Sequence, residues 1–319
     1  MTRQSANSVK SSVRKRKFAD VYAERLNRVI EYIGEHLDEP LTLQRLARIA
    51  HFSPFHFHRV FRSLVGEPLH AFTRRLRLEK AAFLMKHGPR RRLVDIALAC
   101  GFASSSDFSR AFKQAYGFSP RRFTPERFVQ ESKNRQDLLA NAGYGFSQPP
   151  DARNPDGFRV RLVDRPAQRV AYVRVIGTHR MERLLAGFDK LMNWGRRHGL
   201  VPGAELIGMS QDDPNITPLP KYRYDFCLVL PQALKADAGM SIKTLPASRF
   251  GALQCCGDIQ KLDRAWNYLF TAWLPRSGYE PTHRPAMEVY RAHPAEIGWS
   301  TFDIDCMVAV KPLGGIDRF

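Results

Sequence analysis

Residues 104–117, with the sequence SSSDFSRAFKQAYG, carry side chains whose types and spacing suit contact with nucleic acid. In a helix, these side chains divide into an apolar stripe and an opposite polar stripe with a three- and four-residue spacing. The apolar stripe contains Phe108, Ala111, Phe112 and Ala115, and the polar one Ser106, Ser109, Arg110 and Lys113. Arginine pairs with guanine edges, and serine bonds bases or phosphates. The same face is also compatible with a helix that is simply exposed to water.

This stretch is the second copy of a unit that occurs 51 residues earlier. Six pairs match at this offset: Ser53 and Ser104, Phe57 and Phe108, Arg59 and Arg110, Phe61 and Phe112, Arg62 and Lys113, Gly66 and Gly117. In the first copy, the spacing predicts an inward stripe of Phe57, Val60, Phe61 and Leu64 and an outward one of Phe55, His58, Arg59 and Arg62. Two polar, basic faces in one register favour nucleic-acid contact over plain solvent exposure.

The elements around each copy predict a helix-turn-helix unit. In the first copy, Ser53 is a good N-cap and Pro54 suits the first turn of the helix that follows. With a short helix before each cap, the two units are expected at about 43–64 and 94–115. Between them, residues 68–87 predict a helix about 28 Å long. That length approaches the ~34 Å between successive major-groove faces, so one chain could place two helices on DNA.

Residues 22–128 resemble the DNA-binding domain of the AraC/XylS family of bacterial transcription regulators. The motif is strongest in DIALACGFASSSDFSRAFKQAYGFSPRRF, residues 95–123, which has Gly-Phe at the turn and Gly-x-Ser-Pro at the end. The resemblance implies base contacts by Phe55, His58, Arg59, Arg62, Ser105, Ser106, Ser109 and Arg110, and phosphate contacts by Ser53, Ser104, Arg74, Lys113 and Arg121. Asp107 departs from the pattern, and it either complements the helix dipole or accepts from cytosine N4.

The positive charge is concentrated in the first part of the chain. Residues 1–130 contain 25 lysines and arginines against 11 acidic residues, whereas the remaining 189 residues contain 25 against 20. This imbalance suggests a nucleic-acid-binding module joined to a second domain. Residues 1–19 are basic and polar without an apolar segment, which predicts a disordered tail and no secretory signal.

The five cysteines lack metal-finger spacing, which indicates a reducing cytoplasm without a disulfide framework. The adjacent Cys255 and Cys256 are expected to be packing residues, with a redox pair as the alternative. No apolar run approaches the roughly 20 residues that span a bilayer, so no membrane contact is expected.

Beyond residues 129–157, which have the proline- and glycine-rich composition of a linker, a second repeat has an offset of 80. RVRLVDRPAQRVAYVRVIG at 159–177 aligns with SIKTLPASRFGALQCCG at 241–257. Each copy predicts a strand pair, a helix and two more strands. Two copies would form one α+β domain with pseudo-twofold symmetry and a cleft, and such clefts bind small molecules. The predicted fold is therefore an all-α double helix-turn-helix domain followed by a duplicated α+β domain.

Residues 158–312 resemble the GyrI-like effector-binding domain, of the duplicated SHS2 type. The motifs are YRYD at 222–225, LPASR at 245–249 and AMEVY at 286–290. The resemblance implies a cleft glutamate at Glu288. A carboxylate in an apolar strand needs a cationic partner or a raised pKa, so it either pairs with an arginine or serves a ligand. The candidate aromatic walls, each also compatible with core packing, are Trp194, Tyr222, Trp273 and Tyr290, and with a carboxylate they suit an organic cation.

Together these features predict a ligand-responsive transcription regulator, expected to be an activator and not an enzyme. The expected partners are double-stranded promoter DNA, a small amphipathic or cationic effector and RNA polymerase, with no cofactor, at the nucleoid in the bacterial cytoplasm. One alternative is a small-molecule hydrolase with Glu288 as general base, although no Ser-His-Asp, Cys-His or metal-ligand set is legible. The other is a drug-sequestering or architectural protein tethered to DNA.

Overall fold

A computed structural model describes residues 20–88, 91–125, 127–128, 154–178, 180–213, 216–234 and 240–313. Its first domain is built of helices. They are α1 (20–35), α2 (Leu43–Ile49), α3 (Pro54–Val65), α4 (Leu69–His87), α5 (Leu93–Ala99) and α6 (Ser105–Tyr116), followed by a 3₁₀ turn at Pro120–Arg122. The predicted tail at 1–19 and most of the predicted linker, 129–153, lie outside the described residues.

The second helices of the two units repeat with the predicted offset. α3 and α6 have 12 residues each, and their first residues are 51 positions apart. Ser53 Oγ accepts a hydrogen bond from the His56 N–H at 3.3 Å, and Ser104 Oγ accepts one from the Asp107 N–H at 3.1 Å. Both helices end at a left-handed glycine, a conformation that stops a helix without a Cβ clash. The two predicted helix-turn-helix units are therefore confirmed as helices with matching caps.

Each unit has its own apolar core. Phe57 and Phe61 pack with residues of α1 and α4 in the first, and Phe108 and Phe112 pack with residues of α4 and α5 in the second. The predicted inward position of Leu64 is wrong, because that side chain is 54% exposed. The buried row of α3 continues with a four-residue spacing to Val65, which packs against the cluster in place of Leu64.

The second domain contains a nine-stranded antiparallel sheet with helices packed on it. Its strands are β1 (Val160–Arg165), β2 (Gln168–Ile176), β3 (Leu206–Ser210), β4 (Arg223–Val229), β5 (Ser241–Leu245), β6 (Ser248–Gly257), β7 (Tyr279–Pro281), β8 (Ala286–Tyr290) and β9 (Phe302–Pro312). Its helices are α7 (Met181–Arg197), α8 (Ile259–Asn267) and the short α9 (Pro294–Ile297). After α8 the chain continues through a π turn at Tyr268–Trp273.

The strand order shows the predicted duplication. The strands lie in the order β1-β6-β9-β8-β3-β4-β2-β5, with β7 beside β9. At the offset of 80, β1 corresponds to β5, β2 to β6, β3 to β8 and β4 to β9. Reading the order from the other end therefore replaces each of these strands by its repeat. β3 and β8 are 80 residues apart in sequence and adjacent at the centre, where Gly208 lies opposite Glu288. The pseudo-twofold axis therefore passes between β3 and β8, and the two halves meet there.

The helical domain contacts the sheet of the second domain. Glu31 of α1 forms ion pairs with Arg174 of β2 and Lys243 of β5, and both cations also pair with the buried Asp225 of β4. Ile216, in the connection between β3 and β4, packs into the apolar core of the second helix-turn-helix unit. The two domains are thus joined by a buried ion cluster and by an apolar anchor.

Candidate functional site

The first candidate site is the outer surface of α3 and α6. His58, Arg59 and Arg62 are exposed on α3. On α6, the exposed positions are Ser106 and Arg110, and the half-buried ones are Ser105 and Ser109. Phe55 belongs to α3, but its side chain lies outside the described part of the structure. Each helix therefore carries exposed basic and hydroxyl groups opposite its buried phenylalanines, as a helix that reads base edges requires.

The residues predicted to contact phosphates lie at helix ends and edges around this surface. They are Ser53, Ser104, Arg74, Lys113 and Arg121, all exposed. The two serines cap α3 and α6, whose N-terminal N–H groups favour anions. Each capping Oγ accepts an N–H, so its own O–H stays available as a donor. Arg74 on α4 donates to the Gln114 side chain of α6 at 3.4 Å and so lies beside the second unit.

The second candidate site is a cavity of about 1290 Å³. On the side of the second domain it is lined by β3, β8, α8 and the start of β4. The residues of this wall include Met209, Tyr222, Trp266, Phe270, Met287 and Glu288. Apolar and aromatic walls with a few polar groups are typical of sites for small organic molecules.

Glu288 of β8 is the polar centre of this wall. Its Oε2 accepts a hydrogen bond from Tyr224 Oη at 2.5 Å, and its Oε1 accepts one from Trp266 Nε1 at 3.3 Å. Burial raises the pKa of Glu288, and the two hydrogen bonds offset only part of that rise. No lysine or arginine among the described residues forms an ion pair with it, so the predicted alternative of a structural Glu–Arg pair is not observed.

The Tyr224–Glu288 hydrogen bond depends on a glycine in the neighbouring strand. A Cβ on Gly208 would lie 1.8 Å from Tyr224 Oη and 3.2 Å from Glu288 Oε2. Gly208 lies opposite Glu288 across the pseudo-twofold axis and is also its sequence repeat at the offset of 80. The two halves therefore differ at this position. One half has the carboxylate of Glu288, and the other has Gly208, whose missing side chain leaves room for the Tyr224 hydroxyl.

A second carboxylate, Asp263 of α8, lines the same cavity. Burial raises the pKa of Asp263 to about 6, and neither the nearby Arg264 nor the hydrogen bond from Asn267 Nδ2 at 3.2 Å cancels this rise. Asp263 was not predicted as a site residue from the sequence. Its signal was the spacing of Asp263, Trp266, Asn267 and Phe270, which a helix places on one face.

The structure brings only some of the predicted aromatic residues to Glu288. Tyr222 lines the cavity, and Tyr290 Oη lies 3.3 Å from Tyr224 Oη. Trp194 is instead buried in the core under α7, where its ring stacks on His198 with centroids 4.3 Å apart. Trp273 packs over Gly251, where a Cβ would lie 2.4 Å from the indole. The expectation that these two tryptophans line the cavity is thus corrected, because both fill core positions on the helix side of the sheet.

Two donors to Glu288, Tyr224 and Trp266, were missed as site residues. Tyr224 is part of the YRYD motif, but the partner of its hydroxyl is set by the pairing of β4 with β3 and of β3 with β8. Trp266 comes from α8, which has no local sequence relation to β8. Both therefore required the tertiary fold.

The sequence also raised the questions of a metal site, a membrane-spanning helix and a cysteine pair. Within the described ranges, no group of three or more His, Cys, Asp or Glu side chains is arranged to hold a metal ion. In the same ranges, no helix is both long and apolar enough to cross a bilayer. Cys255 is a free, buried thiol whose pKa burial raises to about 11, while Cys256 is exposed. The packing interpretation therefore fits Cys255, whereas Cys256 lies exposed on the other face of β6.

Comparison with known proteins supports both halves of this description. Residues 158–311 match the GyrI-like small molecule binding domain, and residues 46–125 match a helix-turn-helix domain. The DNA gyrase inhibitor of Serratia proteamaculans is 29% identical over 158 residues, which are 48% of this chain and 97% of that protein. The transcriptional regulator Rob of Salmonella typhimurium is 38% identical over 89 residues, or 28% of this chain and 30% of Rob.

A solved structure, the DNA-binding domain of AdpA in complex with a target DNA, is 26% identical, with a TM-score of 0.30, and covers 38% of this chain and 99% of that one. The chain spans about half the length, or less, of the curated relatives that match its helical domain. The chain therefore joins a helix-turn-helix domain of the AraC type to a GyrI-like small-molecule-binding domain that follows it.

Proposed function

We propose that this protein regulates transcription in response to an amphipathic organic cation that binds beside Glu288. The observation that carries the proposal is a desolvated carboxylate, with no ion-pair partner among the described residues, in a cavity of a chain that also carries two helix-turn-helix units. A ligand cation would supply the missing counter-charge. Trp266 and Tyr222 would supply aromatic faces, which attract cations.

The size and polarity of the cavity support an aromatic or bulky cation over a small one. A volume of about 1290 Å³ exceeds what a simple amine fills, and much of the wall is apolar. Removing a hydrated ammonium from water costs free energy that one carboxylate recovers only in part. A delocalised or quaternary cation is more weakly hydrated and gains from apolar contact, so it is the favoured class.

For DNA, the proposal assigns base reading to α3 and α6, with Arg59 and Arg110 at equivalent positions of the two units. Each arginine is expected to discriminate at one base position by about 1–3 kcal/mol. We extend the proposal to promoter activation through contact with RNA polymerase at the bacterial nucleoid. Selection from fragmented genomic DNA tests the reading step. Arg59→Ala and Arg110→Ala should each relax one position of the enriched motif, and a uniform loss over all sequences would mean that they contact only phosphates.

The ligand step is tested with tetraphenylphosphonium and the neutral triphenylphosphine oxide, titrated calorimetrically into the full chain. We expect the cation to bind and Glu288→Gln to weaken it at least about tenfold, which is roughly 1.4 kcal/mol. The neutral compound should bind more weakly and respond little to the substitution. Equal affinity of wild type and Glu288→Gln for the cation would contradict the assignment of the carboxylate as its counter-charge.

A second candidate function is hydrolysis of a small molecule, with Glu288 as general base. The raised pKa of this carboxyl in a cavity is the observation that favours it. Against it, the Tyr224 and Trp266 hydrogen bonds occupy both carboxylate oxygens. Turnover of activated esters and epoxides by the wild type that is abolished in Glu288→Gln would establish the hydrolase, and matched background rates would exclude it for these substrates.

A further inference from the structure

The wall of the cavity is not confined to the GyrI-like domain. Its other side is formed by two helices of the DNA-binding domain, with Ile30 and Gly34 from α1 and Leu76, Lys80 and Phe83 from α4. We propose that the effector site is shared between the domains and that the apolar body of the effector rests on α1 and α4 while its cationic group faces Glu288. This inference rests on the proposed function and adds to it which residues of the DNA-binding domain touch the ligand.

The shared wall is held in place by the ion cluster between the domains. Arg174 and Lys243 each pair with Asp225 at 2.7 Å, and both also pair with Glu31 of α1. Burial would raise the pKa of Asp225, but the two cations outweigh burial and hold that pKa below its ordinary value. All four groups are therefore charged at neutral pH. Because Glu31, Arg174 and Lys243 also line the cavity, α1 is fixed at its edge.

On α4, the wall consists of aromatic rings in tilted contact that cross from one domain to the other. Phe83 lies 5.6 Å from the His283 ring and 5.0 Å from the His87 ring, measured between centroids. His87 in turn lies 4.7 Å from Phe270, which continues the helix face that carries Trp266 and Asp263. The rings thus make a continuous aromatic surface from α4 towards the tryptophan that bonds Glu288.

On α1, Gly34 leaves open space where any other residue would place a side chain. A Cβ built on Gly34 meets no atom within 4 Å, and this residue lines the cavity. Glycine in the middle of a helix costs about 1 kcal/mol relative to alanine. The φ of Gly34 is not in the positive range that requires glycine. The backbone therefore does not require glycine here, and a larger side chain at position 34 would occupy space beside the cavity.

A ligand in such a site couples directly to the DNA-reading helices. α4 connects the two helix-turn-helix units, and its residues belong to the cores of both. A ligand that contacts α4 and β8 together is sensitive to the position of one domain relative to the other. If the ligand and the DNA each prefer one arrangement of the two domains, then binding of the ligand changes the affinity of the chain for DNA.

The test is a calorimetric titration of tetraphenylphosphonium into the full-length chain and four variants. Gly34→Trp places an indole beside the cavity, and Ala23→Trp is its matched control, because Ala23 is exposed on the same helix but does not line the cavity. Phe83→Ala removes the ring, and Met85→Ala is its control, because Met85 is also partly buried on α4 but does not line the cavity. We expect Gly34→Trp and Phe83→Ala to weaken binding at least about fivefold, and both controls to stay within about twofold.

The outcomes separate this inference from the proposed function. If the cation binds, Glu288→Gln weakens it and the Gly34 and Phe83 variants bind as wild type does, the site is confined to the GyrI-like domain and the inference is overturned. If the cation fails to bind wild type, or binds independently of Glu288, the proposed function fails and the inference fails with it. Gly34→Trp removes no packing atoms, so a folded protein with unchanged affinity is decisive even where Phe83→Ala unfolds.

Discussion

At the scale of single residues, the proposed cation site rests on the carboxyl of Glu288. Glu288 accepts hydrogen bonds on both oxygens, and burial still keeps its pKa above the ordinary value. A carboxyl in this state stays neutral to a higher pH than an ordinary glutamate and becomes charged as the pH rises further. Under the proposed function, a bound cation would supply the counter-charge of this carboxylate.

The affinity for tetraphenylphosphonium is therefore expected to increase as the pH rises from the ordinary carboxyl range through the raised pKa of Glu288. Below its raised pKa, Glu288 must lose a proton before it can face a cation, which lowers the affinity by up to about tenfold per pH unit. In Glu288→Gln, the affinity measured by calorimetry should depend less on pH than in the wild type. Asp263 titrates near pH 6 on the same wall, so Asp263→Asn is measured alongside. A flat wild-type profile would contradict the role of Glu288.

Gly208→Ala should damage the site from the adjacent strand. Because its Cβ would lie 1.8 Å from Tyr224 Oη, the tyrosine must move away from Glu288. We expect a loss of about 1–3 kcal/mol in the free energy of unfolding, the usual cost of overpacking, and weaker cation binding. Gly203→Ala is the control, since the nearest atom to its Cβ is a carbonyl oxygen at 4.0 Å. Urea unfolding in which the two variants do not differ would refute this packing account.

At the scale of elements, the two sequence repeats predicted most of the architecture. The offset of 51 correctly gave two 12-residue helices with serine caps, and the offset of 80 correctly gave β3 and β8. Periodicity succeeds here because each element buries one face on a local core. It failed for Leu64, because the buried residues of α3 follow a four-residue spacing from Phe57 through Phe61 to Val65 and leave Leu64 exposed.

The site was only partly predictable for a related reason. Glu288 stood out as a carboxylate in an apolar strand, whereas Tyr224 and Trp266 reach it through strand pairing and helix packing. No local pattern in the sequence states which strands are adjacent. The contribution of α1 and α4 to the cavity depends on how the domains meet, which neither repeat encodes.

The connection between β3 and β4 contains an element-scale prediction. Ile216 is 1% exposed and packs in the core of the second helix-turn-helix unit, although it belongs to the other domain. Ile216→Ala should lower the free energy of unfolding by about 2–5 kcal/mol, because it leaves a cavity in that core. Leu64→Ala, at a 54% exposed position, should change it by less than about 0.5 kcal/mol. Similar denaturation curves for both variants would mean that Ile216 does not anchor the domains.

At the scale of the whole molecule, the ion cluster predicts how stability depends on pH. Asp225 has a lower pKa in the folded chain than in the unfolded one, because Arg174 and Lys243 outweigh the effect of burial. Its stabilisation is therefore present above the ordinary carboxyl pKa near 4 and is lost as the pH falls through the folded value. Asp225→Asn leaves two buried cations undercompensated and should cost about 3–5 kcal/mol. A thermal-melt series from pH 3 to 7 that is identical for both proteins would contradict this.

The central claim is that one molecule joins a cation site to two DNA-reading helices, and its most direct test is the DNA affinity of the full chain with and without tetraphenylphosphonium. The DNA is the fragment most enriched from the genome, at fixed salt because phosphate contacts are salt-dependent. We predict that saturating cation changes the dissociation constant at least about fivefold, within the usual range of allosteric coupling. The change should disappear in Glu288→Gln. An identical dissociation constant with the cation bound and absent would contradict the account.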